Sequence, residues 1–359
     1  MLFLWIPLIL LILEPVATYL WDAKNLRRFP NATYFSGITN LSYIFQRWRG
    51  FRSREIHEAH KKHPILRVGP NTVSFSSPEA IRTIYGHNTA CVKGGTYVTA
   101  VGPHPSMLDV VSRDEHGRKR RILSHAFATR NLELWEFKVA DKVQRLVNQF
   151  DRICSQGPRD SLPVLDYRKW SNLFTIEAIV DIALSQKLGC LDKGSDLVTL
   201  PTPDGETRHI NYIDCLHGGK RILSTFIWST TWYKPWKSVL EAASGFFRSQ
   251  WDKGRQFDEM VRLLVHKRIQ QFKSGEQFDD LISCLLSDKQ GHDRDLAVGE
   301  IESEANTLCT SFPLSSAAVT NTGERNASNT DYIQWMPDLI RQPSNSRMSC
   351  IFCSRTRAF

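Results

Sequence analysis

The chain has no cysteine framework. Its eight cysteines are scattered over 359 residues without regular spacing. That fits reduced intracellular thiols and excludes a small disulfide-stapled domain. It has no internal repeat, which excludes solenoid and propeller architectures. No recognised nucleic-acid motif accompanies its basic residues, so nucleic acid is the least favoured of the partners that a net charge of +9 would suit. An anionic ligand, an acidic protein partner or a membrane surface each fits that charge. The first apolar run, Leu2 to Leu13, has no cation before it and no small-residue cleavage site after it. Both absences argue against a cleaved signal peptide.

What is present begins with that run, LFLWIPLILLIL. Glu14 and Pro15 interrupt it, and Lys24, Arg27 and Arg28 follow it. Residues 1–21 are therefore expected to be a retained signal-anchor, with the remainder on the cytosolic side. The sequons at Asn31, Asn40 and Asn326 would then stay unmodified. Beyond the anchor, 42% hydrophobic and 23% charged residues are ordinary for a globular protein large enough to bury a sizeable core.

The pattern predicts mostly helices with a few strands, a mainly α (α+β) chain. A helix is expected over Ile44 to His60, ended by Pro64. Two short strands are expected around the turn Gly69-Pro70-Asn71, within Ile65 to Phe75. Ser77 and Pro78 read as N-cap and first residue of a helix that Gly86 ends. Val92 to Val110 reads as a long functional loop. Helical spacing recurs over Leu132 to Ile153, Trp170 to Leu188, Ser238 to Phe272, Phe278 to Leu286 and Leu296 to Leu308. Cys190 to Cys215, with Pro201 and Pro203, reads as loop. The aromatics of Ile222 to Trp236 read as core rather than as a substrate pocket. From Cys309 the sequence turns rich in Ser, Thr and Asn, and Pro313 is expected to break the last helix. Residues 22–308 thus form one expected domain, and 309–359 an aberrant, poorly packed tail.

The stretch Asp114 to Ala128, DEHGRKRRILSHAFA, is the most informative. His116 and Arg120 are four residues apart and share one face of a helix, while Ile122 and Ala126 help to bury it. An imidazole and a guanidinium aimed together suit a carboxylate or phosphate. The four-cation run Arg118 to Arg121 would, alone, equally be a solvated face.

Taken in order, these segments resemble the microsomal cytochrome P450 family, and within it the fungal enzymes. The resemblance rests on the anchor followed by Asn25-Leu26-Arg27-Arg28-Phe29-Pro30, the strand pair, the Ser77 helix, the His116 stretch, Trp170-Ser171-Asn172-Leu173-Phe174 and Phe278-Asp279-Asp280-Leu281. It extends to about Leu308. It implies an incomplete P450-like fold, and that His116 and Arg120 hold haem propionates. It also implies a haem-thiolate monooxygenase oxidising an apolar small molecule, with NADPH supplying electrons through NADPH-cytochrome P450 reductase. The location it implies is a membrane, the endoplasmic reticulum, with the domain facing the cytosol. The setting it suggests is fungal secondary metabolism. Lys119 and Arg121 could help dock the reductase.

Three family features are missing. Leu308 leads into Cys-Thr-Ser-Phe-Pro rather than the acid–alcohol pair of helix I. No late Glu-x-x-Arg is present; Glu79/Arg82, Glu115/Arg118 and Glu259/Arg262 all come too early. Neither Cys350 nor Cys353 sits in the Phe-x-x-Gly-x-Arg-x-Cys-x-Gly signature of the iron ligand. No catalytic residue or metal ligand is therefore assigned. The expectation is a truncated product, impaired in haem binding; the alternative is a non-catalytic membrane-anchored remnant or interaction protein.

Overall fold

The computed structural model describes residues 15–323, apart from 87–88, 100, 157–164, 203–204, 229, 231 and 289. The apolar segment Leu2 to Leu13 and residues 324–359, which include Cys350 and Cys353, lie outside the described residues. Among the described residues no helix is long and apolar enough to cross a membrane.

The fold is mainly helical with two small antiparallel hairpins. The first expected helix is two. Helix α1 (Leu41–Arg49) ends at Gly50, whose φ of 77° is open to glycine at little cost, and α2 (Arg52–His60) restarts on a new axis. Strands β1 (Ile65–Gly69) and β2 (Thr72–Phe75) pair as expected, with a bulge between Arg67 and Gly69. Helix α3 (Pro78–Tyr85) starts as expected: the Ser77 hydroxyl accepts the Ala80 N–H at 3.2 Å.

Helix α4 (Arg113–Ala126) carries the basic stretch, α5 (Glu136–Gln156) follows, and α6 (Tyr167–Leu184) runs through the centre. Ile176, Val180, Ala183 and Leu184 on α6 are fully buried. Each large apolar side chain so buried contributes about 1.5–3 kcal/mol. Buried charges on α6 are all partnered. Glu177 accepts backbone N–H groups from Leu188, Gly189 and Cys190 at 3.1, 3.0 and 2.7 Å, which shapes the turn leaving the helix. Asp181 accepts from Lys142 at 2.6 Å and ties α5 to α6.

The span Cys190 to Cys215 is not simply loop. It holds the hairpin β3 (Leu197–Pro201) and β4 (Thr207–Asn211). Val198, Leu200 and Ile210 point into the core while their neighbours face out. Alternation of this kind outweighs the two prolines, because Pro201 ends its strand and the next inter-strand bond is made by the Thr202 N–H, to the Glu206 carbonyl at 2.9 Å.

Helices α7 (Tyr212–Phe226), α8 (Tyr233–Ala243) and α9 (Gly245–Lys273) follow. A side chain at Gly219 on α7 would meet Gly254 Cα of α9 at 2.5 Å, so this pair of glycines sets how closely the two helices approach. Trp228, Trp232 and Trp236 are 41, 37 and 38% exposed. The aromatic stripe therefore rims the surface where α7 gives way to α8, and only Tyr233 of that group joins the core. Phe278 to Leu286 contains only a single helical turn, Ser283–Leu286. Asp280 there is held by fully buried Arg268 of α9 at 2.7 Å, which makes a compact corner instead of a helix.

The last helix, α10, runs Val298–Gly323 and passes through Pro313. The helix continues past Leu308, and the expected break at Pro313 does not occur. Cys309 is completely buried in the main core, beside Ala305 and Ile301 of the same helix. Pro313 has no N–H, so the Cys309 carbonyl loses its helical donor. The buried Tyr212 hydroxyl donates to that carbonyl at 2.9 Å instead. A substitute donor from α7 is what lets α10 tolerate a proline.

Candidate functional site

Helix α4 is set by its two ends and one inward face. Ser112 caps it, and Asp114 and Glu115 complement the positive end of the helix dipole in the first turn. Leu123 and Ala126 are buried. Lys119 is also buried, only 3% exposed, and its Nζ donates to Glu300 at 2.8 Å and Glu304 at 3.1 Å on α10. Arg118 donates to both oxygens of Glu115, at 2.9 and 2.7 Å, and to Glu300. The Glu115/Arg118 spacing is thus a local helical ion pair. Glu304 accepts the Met107 N–H at 2.8 Å as well, tying the loop before α4 to α10.

The basic run therefore divides by face. Lys119 is corrected from an exposed docking residue to a buried pin between α4 and α10, because its position turns it toward two glutamates. Arg121 remains exposed, its Nε donating to the Gly117 carbonyl at 3.3 Å.

His116 and Arg120 occupy a different face. His116 is half-buried and Arg120 exposed. Among the described residues neither forms an ion pair or hydrogen bond with a side chain. Lys93, in the loop before α4, brings a further cation beside them and donates to the Met107 and Leu108 carbonyls at 3.0 and 2.6 Å. Partial burial holds the His116 imidazole below its ordinary range, and the charges of Lys93 and Arg120 lower it further. Burial also lowers Lys93, against the attraction of Asp109 and Glu304. Those two carboxylates are engaged elsewhere, Asp109 by the Ser106 hydroxyl at 2.7 Å and Glu304 by Lys119. Lys93, His116 and Arg120 thus gather positive charge without a committed counter-ion, an arrangement suited to an anionic group. Lys93 has no signal in the sequence beyond membership of a loop already suspected of function.

The mutual repulsion is testable. Arg120→Ala is expected to raise the His116 pKa toward the ordinary histidine value, because it removes a nearby positive charge. An NMR titration of the His116 ring protons reads this directly; an unchanged midpoint would show that burial alone sets it.

The described cysteines have a different character. Burial raises the thiols of Cys190, Cys284 and Cys309 to about 12. They are neutral packing groups, not thiolates. Among the described residues no group of three or more His, Cys, Asp or Glu side chains is arranged to hold a metal ion.

A mostly helical chain with an N-proximal hairpin and a cationic helix against a long core helix is the class these elements define. The Cytochrome P450 family model matches residues 35–317, and the chain belongs to that family. It is 27% identical over 308 residues to benzoate 4-monooxygenase bphA of Aspergillus niger, covering 84% of this chain and 59% of that relative. It is 28% identical over 190 residues to averantin hydroxylase of Aspergillus parasiticus, covering 52% of this chain and 37% of the relative. The solved structure of retinoic acid-bound cyanobacterial CYP120A1 superposes with a TM-score of 0.51 at 12% identity. That match covers 76% of this chain and 55% of the other, and it supports the fold alone. The chain spans about three-fifths or less of the length of these curated relatives.

Proposed function

We propose that this chain supplies the propionate-holding part of the haem pocket in a cytochrome P450 monooxygenase that oxidises an apolar small molecule, in fungal secondary metabolism. The observation that carries the reading is the convergence of Lys93, His116 and Arg120 without a committed carboxylate, within a chain of this family. The relatives' names, hydroxylases and monooxygenases of fungi, support the reaction class. Haem, when bound, would supply dioxygen activation. The residues of this chain would hold its two carboxylates: Arg120 and Lys93 as permanent cations, His116 as a donor that gains a proton when a negative charge arrives.

No described cysteine is assigned as the iron ligand on this reading. The affinity expected is therefore weak and dominated by the propionate end. The wider setting belongs to the same proposal. NADPH-cytochrome P450 reductase delivers electrons, and exposed Arg121 rather than Lys119 contributes to its docking. Residues 1–21 anchor the chain in the endoplasmic reticulum membrane on this proposal.

Haem titration of the purified full chain, followed by Soret absorbance, tests the site. Uptake is expected, and His116→Ala with Arg120→Ala is expected to weaken it at least about tenfold, or about 1.4 kcal/mol. No uptake, or uptake insensitive to both substitutions, would overturn the assignment.

A further inference from the structure

A second cationic site lies on the opposite end of the sequence order, between α1, α2, the β1–β2 hairpin and the residues that follow α7. It is an open cavity of about 550 Å³. Arg47, Arg52, His57 and His60 line it, and among the described residues no carboxylate does. Tyr43, Ile56, Val68 and Trp228 supply its apolar wall.

The wall is fixed by its own contacts. The Tyr43 hydroxyl donates to the Ser224 carbonyl at 3.1 Å, and its ring lies 5.0 Å from that of Trp228. The Arg52 guanidinium sits 4.2 Å from the Tyr43 ring centre and donates to Gln46 at 2.8 Å. His60 is already engaged, by the Ser74 hydroxyl at 2.8 Å and the His63 carbonyl at 3.0 Å. Arg47 differs from these. Its Nε is buried without a hydrogen-bond partner. Burial lowers the Arg52 pKa, Tyr43 and Glu55 oppose that, and the charge of Arg47 adds to it, so the two guanidiniums repel one another across this space. An unpaired buried guanidinium donor beside a second guanidinium is costly unless an acceptor arrives.

We propose that this cavity binds a small organic anion, a carboxylate on an apolar or aromatic body, with Arg47 and Arg52 on the carboxylate and Trp228 and Ile56 along the body. The planar guanidinium fork matches a carboxylate, and the volume is within the range of small-molecule sites. The apolar wall distinguishes such a ligand from an inorganic anion, which would leave Trp228, Ile56 and Val68 against water. The site is made of residues other than Lys93, His116 and Arg120, and it stands whether or not haem binds.

Isothermal titration of the purified full chain with 2-naphthoate, 2-naphthalenemethanol and inorganic phosphate tests the proposal. The carboxylate is expected to bind at least about tenfold more tightly than either the neutral alcohol or phosphate. Arg47→Gln is expected to weaken naphthoate about tenfold and leave the alcohol unchanged, while Arg82→Ala, at an exposed cation outside the cavity, leaves both unchanged. Equal binding of acid and alcohol, equal binding of phosphate, no binding of naphthoate, or a loss on Arg82→Ala matching that of Arg47→Gln would each overturn it. If Arg47→Gln does not fold, as judged by circular dichroism, the three-ligand comparison on the unaltered chain decides.

Discussion

Lys119→Met is expected to destabilise the fold by about 3–5 kcal/mol at neutral pH, the cost of stranding buried carboxylates. Among the described residues Lys119 is the one cation that reaches both Glu300 and Glu304, and Lys119 and Glu304 are both almost fully buried. Arg118 would remain on Glu300, but Glu304 would keep only the Met107 N–H. The pH dependence separates this account from simple loss of packing. In the intact chain burial raises Glu304, against the opposing pull of Lys119, and the net direction is up. Its contribution is therefore fully present below the ordinary glutamate range and lost as pH rises through the folded value. Glu300 has the opposite sign. Burial raises it, but Lys119 and Arg118 outweigh burial and the net direction is down. Its contribution is present above the ordinary range and lost as pH falls through the folded value. Without Lys119 both carboxyls shift upward, so the deficit should shrink as the pH falls and the two carboxyls protonate. Denaturant melts of the two chains at several pH values measure this. A deficit that stays constant from neutral to acid would show that Lys119 matters only for its packing.

Tyr212→Phe is expected to cost about 1–3 kcal/mol, because it leaves the Cys309 carbonyl buried without a donor. The ring should stay in place: it is completely buried and packs edge-on against Phe257 at 5.2 Å. The loss would then isolate one hydrogen bond, the one that replaces what Pro313 cannot give. The double substitution Tyr212→Phe with Pro313→Ala makes the argument specific. Restoring an N–H at position 313 returns a helical donor to Cys309, so the double variant should recover most of the deficit. Thermal or denaturant melts of the single and double variants decide it. Additive losses would mean that the phenol and the proline are unrelated.

The site and the fold were legible to different depths. His116 with Arg120 can be read from spacing alone, because two residues four apart on a helix share a face whatever surrounds them. The Ser77 cap and the β1–β2 hairpin are likewise local: a capping hydroxyl, a proline at the first position and a Gly-Pro-Asn turn each act within a few residues. The β3–β4 hairpin was legible too, in the alternation of Leu197 to Pro201, but counting prolines obscures it. Family membership follows from the order of such segments along the chain, which composition does not carry.

Tertiary structure decided everything that depends on a distant partner. Lys119 and Arg121 are equal in sequence, and only the two glutamates of α10 make one a buried pin and leave the other in water. Lys93 joins His116 and Arg120 because the loop before α4 folds back on it. Pro313 looks like a helix breaker until Tyr212, from another helix, supplies the missing donor. The aromatic rim at Trp228 and the unsatisfied Nε of Arg47 meet only because α1 and the end of α7 are neighbours. Sequence determines the elements through short-range geometry, whereas burial and charge pairing belong to contacts between elements, and those set which residues of this chain are free to bind.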